Sequence, residues 1–144
     1  MIIDEIFDNM FKTDCQTITI PVNTVGIMGA GLANYVKKRW PFVEAIYKRH
    51  CNQKLFKSQL LTIPIEDNKQ LLLLPTKNHW SENSNEWLVN RSLEMLARDY
   101  ENLGIKTLAV PKIACGRGRM DFDEVRALIY KHLDPIPVPI KIYT

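Results

Sequence analysis

The segment PVNTVGIMGAGLA, residues 21–33, is the most informative stretch of the chain. It overlaps QTITIPV (16–22), whose Ile, Thr and Val predict a β-strand. The glycines of 26–31 predict a loop, and apolar residues at every fourth position after it predict a helix. Such a loop leaves free backbone N–H groups at the positive end of the helix dipole, which attracts phosphate. The same glycines would equally suit a tight strand–helix turn without a ligand.

The spacing of these glycines excludes the two common nucleotide motifs. A dinucleotide fingerprint requires G-x-G-x-x-G, whereas residues 26–31 have the order G-x-x-G-x-G. A P-loop requires Gly-Lys followed by Ser or Thr, whereas Leu32 follows Gly31. Any phosphate site here therefore belongs to another class.

A second glycine loop, ACGRGRMDF (114–122), lies between a predicted strand and a predicted helix. Gly116 and Gly118 permit a tight curve of N–H groups that can bind an anion. Arg117 and Arg119 either add charge to this curve or are solvated surface residues. Cys115 is either a nucleophile or a packed thiol.

A third motif, PTKNHW (75–80), ends the hydrophobic strand QLLLLPT. Lys77 is either a partly desolvated amine that acts as a nucleophile or an exposed loop lysine. His79 and Trp80 either stack on a base or pack under the loop. Asn23, at the end of the strand before the first glycine loop, either contacts a sugar hydroxyl or forms a turn.

The order of elements predicts the fold class. Predicted strands alternate with predicted helices along the chain. The strands are 16–22, 58–65, 70–76, 105–113 and 137–144. The helices follow residue 31 and Pro41 and occupy 85–103, which Gly104 should cap, and 121–133. The strands 58–65 and 70–76 should pair as a hairpin. The alternation is typical of a three-layer α/β domain with a mixed sheet. Because ligands bind beyond the carboxyl ends of such strands, both glycine loops should lie at one edge.

Composition narrows the class of protein further. The length of 144 residues fits a single domain, 1–144. A composition of 46% hydrophobic and 24% charged residues excludes disorder as the main state. No run of 18 apolar residues occurs, so we expect no membrane span. Three widely spaced cysteines, and acidic residues where a secretion signal would be basic, favour the cytoplasm. The net charge of +3 permits anionic ligands, and a monomer is expected.

The three motifs VNTVGIMGAGLA, PTKNHW and VPKIACGRGRMDFDEV, in this order, resemble those of a macro domain. The resemblance extends over residues 8–144 and is closest to the branch containing the DarG antitoxin macro domain and the terminal ADP-ribose protein glycohydrolase. It implies an α/β/α macro fold with a pocket for ADP-ribose.

The resemblance also implies which residues bind the ligand. Adenine would contact Asn9, where the family typically has aspartate, and the backbone around Met10. The diphosphate and distal ribose would lie between two loops, with Thr76 nearby. The residues of these loops are Gly26, Ile27, Met28, Gly29, Ala30, Gly31 and Leu32, and then Ile113, Ala114, Cys115, Gly116, Arg117, Gly118, Arg119 and Met120.

For catalysis, the resemblance implies that Lys77 attacks or polarises the anomeric carbon while Asn23 orients the distal ribose. The terminal ADP-ribose protein glycohydrolase carries a loop aspartate where this chain has Gly118. Asp121 is the nearest carboxylate, and we expect it to cap the last helix. The missing carboxylate favours a DNA-linked over a protein-linked substrate.

The resemblance therefore predicts a glycohydrolase that removes ADP-ribose from thymidine in modified DNA and so reverses a DarT-like toxin. Its partners would be ADP-ribose, ADP-ribosylated single-stranded DNA and the toxin, with no metal or cofactor. The basic run 37–39 either meets DNA phosphates or is the solvated face of its helix. Two alternatives remain: a hydrolase of protein-linked ADP-ribose or ADP-ribose 1″-phosphate, and a non-catalytic ADP-ribose-binding module. A standalone enzyme, a phage-borne protein and an excised antitoxin domain all fit the sequence.

Overall fold

The computed structural model describes residues 1–116 and 118–144. Arg117 lies outside them, and with it one residue of the predicted second loop. The strands are β1 (Ile2–Ile6), β2 (Thr17–Asn23), β3 (Leu61–Pro64), β4 (Gln70–Lys77), β5 (Leu108–Pro111) and β6 (Ile140–Tyr143). The helices are α1 (Gly31–Arg39), α2 (Phe42–Asn52), α3 (Glu86–Asp99) and α4 (Phe122–Leu133).

The strands form one mixed sheet in the order β1-β6-β5-β2-β4-β3. All neighbouring strands are parallel except β3 and β4, which pair as the predicted antiparallel hairpin. Helices α1 and α2 contact each other and pack on β2 and β3, while α3 contacts α4 and packs on β4. This arrangement confirms the predicted three-layer α/β/α fold.

Strand β4 lies at the centre of the hydrophobic core. Its residues 71–74 are four consecutive leucines, and each has a relative exposure of 0%. A strand covered by helices on both faces has no solvent side, so its sequence is apolar throughout instead of alternating. The leucine run therefore fixes β4 inside the sheet and carries its last residues to the carboxyl edge.

Strand β1 was not predicted from the sequence. Its middle residues Ile3, Asp4 and Glu5 are exposed, because β1 forms one edge of the sheet. It is held instead by tertiary contacts: Arg126 of α4 forms an ion pair with Glu5, and the Tyr130 hydroxyl donates to the same carboxylate at 2.9 Å. Polar contacts with a distant helix leave no periodic signal in the strand itself.

Helix α3 is shorter than the predicted segment 85–103. It ends at Asp99, and the chain then turns through hydrogen bonds that include Gly104 N–H to the Glu101 carbonyl, with Gly104 at φ +69°. The glycine thus ends the turn after the helix. With 14 residues, α3 is the longest helix, and no helix among the described residues has the length and hydropathy to cross a bilayer.

We predict that truncating the leucine run destabilises the whole domain. Leu72→Ala leaves a cavity at a fully buried position and should lower the free energy of unfolding by about 2–5 kcal/mol. Leu61→Ala, at a half-buried position on the neighbouring strand β3, should cost clearly less. Urea unfolding monitored by circular dichroism measures both, and equal losses would contradict this placement of the core.

Candidate functional site

A crevice of about 580 Å³ opens at the carboxyl ends of the central strands. Three segments form it: the loop after β2 with the start of α1, the loop between β4 and α3, and the loop after β5. Its lining residues are Pro21, Val22, Asn23, Ile27, Gly29, Ala30, Gly31, Leu32, Ala33, Thr76, Lys77, Trp80, Ser84, Lys112, Ala114, Gly116 and Gly118. Both glycine loops therefore lie at one edge of the sheet, as predicted.

Most of the predicted site residues meet in this crevice. The predicted residues that line it are Asn23, Ile27, Gly29, Ala30, Gly31, Leu32, Thr76, Lys77, Ala114, Gly116 and Gly118. The others in the described chain lie outside the lining: Asn9, Met10, Gly26, Met28, Ile113, Cys115, Arg119 and Met120. Sequence reasoning missed Pro21, Val22, Ala33, Ser84 and Lys112 as wall residues. Ser84 gave no signal, because only the folding of the β4–α3 loop brings it there.

The start of α1 is open to an anion. The residue before the helix, Ala30, has no side chain that can accept a hydrogen bond from the first turn. Gly31, Leu32 and Ala33 of that turn line the crevice. Free N–H groups and the positive end of the helix dipole therefore lie beside the cavity, the arrangement that binds phosphate.

The side chain of Asn23 organises the first glycine loop. Its Oδ1 accepts hydrogen bonds from the backbone N–H of Val25 and Gly26, each at 3.1 Å, and of Ile27 at 3.4 Å. Its Nδ2 donates to the Ile27 carbonyl at 2.8 Å. Asn23 is 5% exposed. Asn23 therefore forms the turn that was one of its two predicted roles. One N–H of its side-chain amide has no partner among the described residues.

Helix α2 supports this loop from beneath. The Tyr47 hydroxyl donates its one proton to Asn23, and its oxygen lies 2.7 Å from the Asn23 carbonyl oxygen and 2.8 Å from Asn23 Oδ1. Burial raises the pKa of the Tyr47 phenol, so the donor keeps its proton at neutral pH. Gly26, at φ +88°, passes so close that a Cβ there would lie 3.1 Å from Lys48 Cγ.

Strand pairing sets Lys77 beside Asn23. The register between β2 and β4 pairs Val22 with Pro75 and then shifts, so that Asn23 pairs with Lys77. The half-buried Lys77 side chain donates from Nζ to the Trp80 carbonyl at 3.2 Å. Asn23 and Lys77 are thus paired where the two strands end, and both residues line the crevice.

Helix α3 holds the end of β4 that carries Lys77. The buried Ser92 hydroxyl donates to the Pro75 carbonyl at 2.7 Å, and the Asn85 N–H donates to the Thr76 carbonyl at 2.9 Å. Asn85 also caps α3 by accepting from the Leu88 N–H at 3.2 Å. The strand end is therefore fixed by the helix as well as by the sheet.

The second loop is closed tightly on itself. Ala114 at φ +66° and Arg119 at φ +63° take left-handed conformations that are uncommon for residues with a side chain. The Met120 N–H donates to the Ala114 carbonyl at 2.9 Å. A Cβ at Gly118 would collide with this same carbonyl and with Ser84 Oγ. Gly118 is therefore required for space.

Cys115 has the features of a packed thiol. Its Sγ donates to the Ile113 carbonyl at 3.2 Å, and the residue does not line the crevice. Burial raises the pKa of this thiol, which favours the protonated form over the nucleophilic thiolate. Both observations favour the packing interpretation over the nucleophile.

No carboxylate lines the crevice within the described residues. Asp121 occupies the N-cap position of α4, as expected, but its side chain makes no capping hydrogen bond, so that part of the prediction is wrong. The charged lining residues are Lys77 and Lys112, and Lys112 Nζ lies 5.1 Å from the Phe122 ring centre. The walls therefore suit an anionic ligand.

The basic run of α1 lies outside the crevice wall. Lys37 pairs with Glu44 and Arg39 with Glu66, each at 3.2 Å, and Lys38 is exposed. These pairs are partly exposed and weakly stabilising. They support the solvated-face interpretation of the run.

Comparison with known proteins agrees with this fold. The family model described as Macro domain matches residues 20–129. The chain belongs to the macro domain family.

Its relatives include bacterial and human proteins. It is 35% identical to the DNA ADP-ribosyl transferase-DNA ADP-ribosyl glycohydrolase fusion protein of Thermosipho africanus, over 94% of this chain and 40% of the relative. The solved structure titled Thermosipho africanus DarTG in complex with ADP-ribose superposes with a TM-score of 0.85, covering 94% of this chain and 39% of that one.

The macrodomain of Mycobacterium tuberculosis DarG is 26% identical, with a TM-score of 0.89, over 99% of this chain and 97% of that one. The human ADP-ribose glycohydrolase OARD1 is 28% identical over 81% of this chain and 74% of its own length. The chain spans about 40% of the length of the curated bacterial relatives.

We predict that the Tyr47 hydroxyl stabilises the first loop. Tyr47→Phe removes a buried donor to Asn23 and should lower the free energy of unfolding by about 1–2 kcal/mol. Tyr100→Phe is the control, because that hydroxyl lies at the surface with Glu101, and its loss should change stability by less than about 0.5 kcal/mol. Denaturant titration of both variants compares them, and equal losses would argue against the network.

A second prediction concerns the space at Gly118. Gly118→Ala should lower the free energy of unfolding by about 1–3 kcal/mol, because the new methyl group overlaps the Ala114 carbonyl and Ser84. Gly116→Ala is the matched control, since nothing lies within 4 Å of its added Cβ. Thermal unfolding measures both, and a Gly118→Ala protein as stable as Gly116→Ala would show that the loop yields freely.

Proposed function

We propose that the chain is a glycohydrolase that binds ADP-ribose and releases it from modified DNA. The observation that carries the proposal is Lys77, which pairs with Asn23 on the neighbouring strand and lines a crevice between two glycine loops. Membership of the macro domain family supports the choice of ligand. The names of the bacterial relatives, DNA ADP-ribosyl glycohydrolases, support the choice of reaction and substrate.

In the proposed complex, the diphosphate lies against the start of α1 and the second loop. The free N–H groups of the first helical turn would bind its oxygens. The distal ribose would then lie near Asn23 and Lys77, with the remaining amide N–H of Asn23 available to a hydroxyl. At the other end, adenine would reach Asn9 and the backbone of Met10. Asn9 Oδ1 already accepts from the Phe11 N–H at 3.0 Å and retains a second lone pair for the adenine amino group.

The proposed chemistry proceeds in two steps on Lys77. The neutral amine forms a bond to the anomeric carbon of the distal ribose as the bond to the aglycone breaks. The aglycone leaves with the electron pair and takes the proton released by the amine. Water then replaces the amine at that carbon, which frees ADP-ribose and restores Lys77. This scheme uses no metal or cofactor, and ADP-ribose is its product.

DNA is the proposed carrier of the ADP-ribose. The absence of a carboxylate in the described crevice wall distinguishes this site from one that pairs a lysine with an aspartate. Single-stranded DNA suits the site best, because a base that is already unpaired reaches a crevice without the cost of opening a duplex.

We also infer the setting in which the activity operates. The Thermosipho africanus relative joins a transferase to a glycohydrolase, which supports a DarT-like toxin as partner. All three cysteines are free, as suits a reducing cytoplasm. A monomer is the proposed state.

Replacing Lys77 tests the catalytic assignment. Lys77→Ala should bind free ADP-ribose about as tightly as the wild type by calorimetry, and release it from thymine-modified single-stranded DNA at least about 100-fold more slowly. Lys106→Ala is the control, because this exposed lysine precedes β5 at the opposite end of the sheet. Unchanged turnover in Lys77→Ala would remove the amine from the mechanism.

The substrate is tested by a direct comparison. Wild-type protein should release ADP-ribose faster from thymine-modified single-stranded DNA than from a glutamate-modified peptide or from ADP-ribose 1″-phosphate. Faster release from the peptide or the phosphate would assign the activity to protein-linked or phosphate-linked ADP-ribose. Tight binding of ADP-ribose with no release from any substrate would identify a binding module.

A further inference from the structure

Trp80 is an exposed aromatic residue on the wall of the crevice. It is 54% exposed, so the alternative in which it packs under its loop is wrong. It follows Lys77 by three residues and lines the same cavity. The indole is a large, flat apolar ring, and burying it against another group is strongly favourable. An exposed indole beside a binding site can therefore stack on a flat group of the ligand.

The turn that carries Trp80 is held by its own hydrogen bonds. The His79 ring lies against the indole, with ring centres 5.3 Å apart and planes inclined by 33°. The Ser81 N–H donates to His79 Nδ1 at 3.2 Å, and the Glu82 N–H donates to the His79 carbonyl at 3.1 Å. The indole is therefore placed before any ligand arrives, which lowers the entropy lost on binding.

We propose that Trp80 is the platform on which the nucleobase of the substrate stacks while its ADP-ribose occupies the crevice. This inference rests on the proposed glycohydrolase function. It identifies the nucleobase as the part of the substrate, beyond ADP-ribose, that the site recognises. Every nucleobase has a flat π face, so stacking on an indole is favourable and tolerant of sequence. An aspartate or glutamate aglycone has no such face and would gain little from Trp80.

The same residue connects the base to the reacting amine. The backbone carbonyl of Trp80 accepts the hydrogen bond from Lys77 Nζ at 3.2 Å. A base stacked on the indole therefore rests on the same residue whose carbonyl holds the amine. In this arrangement Trp80 selects nucleobase aglycones and positions them, while Lys77 carries the chemistry.

The test compares Trp80 with Trp87, a second exposed tryptophan of the same protein. Trp87 is 70% exposed on the first turn of α3 and does not line the crevice. Trp80→Ala should lower kcat/KM for thymine-modified single-stranded DNA by roughly 10- to 100-fold. Trp80→Phe should retain most of the rate, and Trp87→Ala should stay within about twofold of wild type, as expected of a surface change. The Kd for free ADP-ribose should be unchanged in all three.

A glutamate-modified peptide separates stacking from a loss of loop structure. If Trp80 stacks on the base, Trp80→Ala loses a much larger factor of rate on DNA than on the peptide. An equal loss on both substrates would overturn the proposal, because Trp80 would then act only by placing Lys77. Full activity of Trp80→Ala on DNA would overturn it as well. Wild-type protein inactive on DNA but active on the peptide would refute the proposed function instead.

A further variant, Trp80→Leu, covers a failure of Trp80→Ala to fold. Trp80→Leu keeps an apolar side chain but loses the flat ring, so it should fold and show the same selective loss on DNA. A Trp80→Leu protein as active as Trp80→Phe on DNA would show that apolar contact alone suffices, and would refute stacking.

Discussion

The side-chain oxygen of Asn23 connects the layers of this site. It accepts hydrogen bonds from backbone N–H groups of the first glycine loop and from the hydroxyl of Tyr47, which belongs to α2. The backbone of Asn23 pairs with Lys77 on the neighbouring strand. A single buried residue thus holds the loop, is supported by a helix, and pairs with the strand that carries the lysine. Any movement of Asn23 would be transmitted to each of these parts, because its hydrogen bonds have little water to replace them.

The two glycine loops are built on different physical grounds. In the first loop, Gly26 and Gly31 have positive φ, and Gly26 also passes close to Lys48, so conformation and space both require glycine. In the second loop, Ala114 and Arg119 have positive φ although both carry side chains, and Gly118 leaves no room for a Cβ beside Ser84 and the Ala114 carbonyl. Strained residues in such a loop are typical of functional sites, where the surrounding structure enforces them.

Several features of the site were predictable because their causes are local. The glycine pattern 26–31 predicts a loop, and the apolar segment 70–76 predicts a buried strand, without information from the rest of the chain. The alternation of strands and helices then predicts that both glycine loops lie at one edge of the sheet. Strand β1 was missed because an edge strand with exposed Asp4 and Glu5 has no apolar pattern, and the helix at 85–103 was predicted too long because its last apolar residues belong to a turn. The roles of the site residues stay predictions, Asn9 and Met10 among them.

The sequence by itself determined the macro fold, the glycine loops and the identity of the lysine at the end of β4, since these depend on local conformation and on the order of motifs. The tertiary structure decided which groups meet. The register shift that pairs Asn23 with Lys77, the entry of Ser84 beside Gly118 and the exposure of Trp80 at the crevice all depend on segments far apart in the chain. Distances between such segments follow from packing of the whole core, which no local pattern encodes.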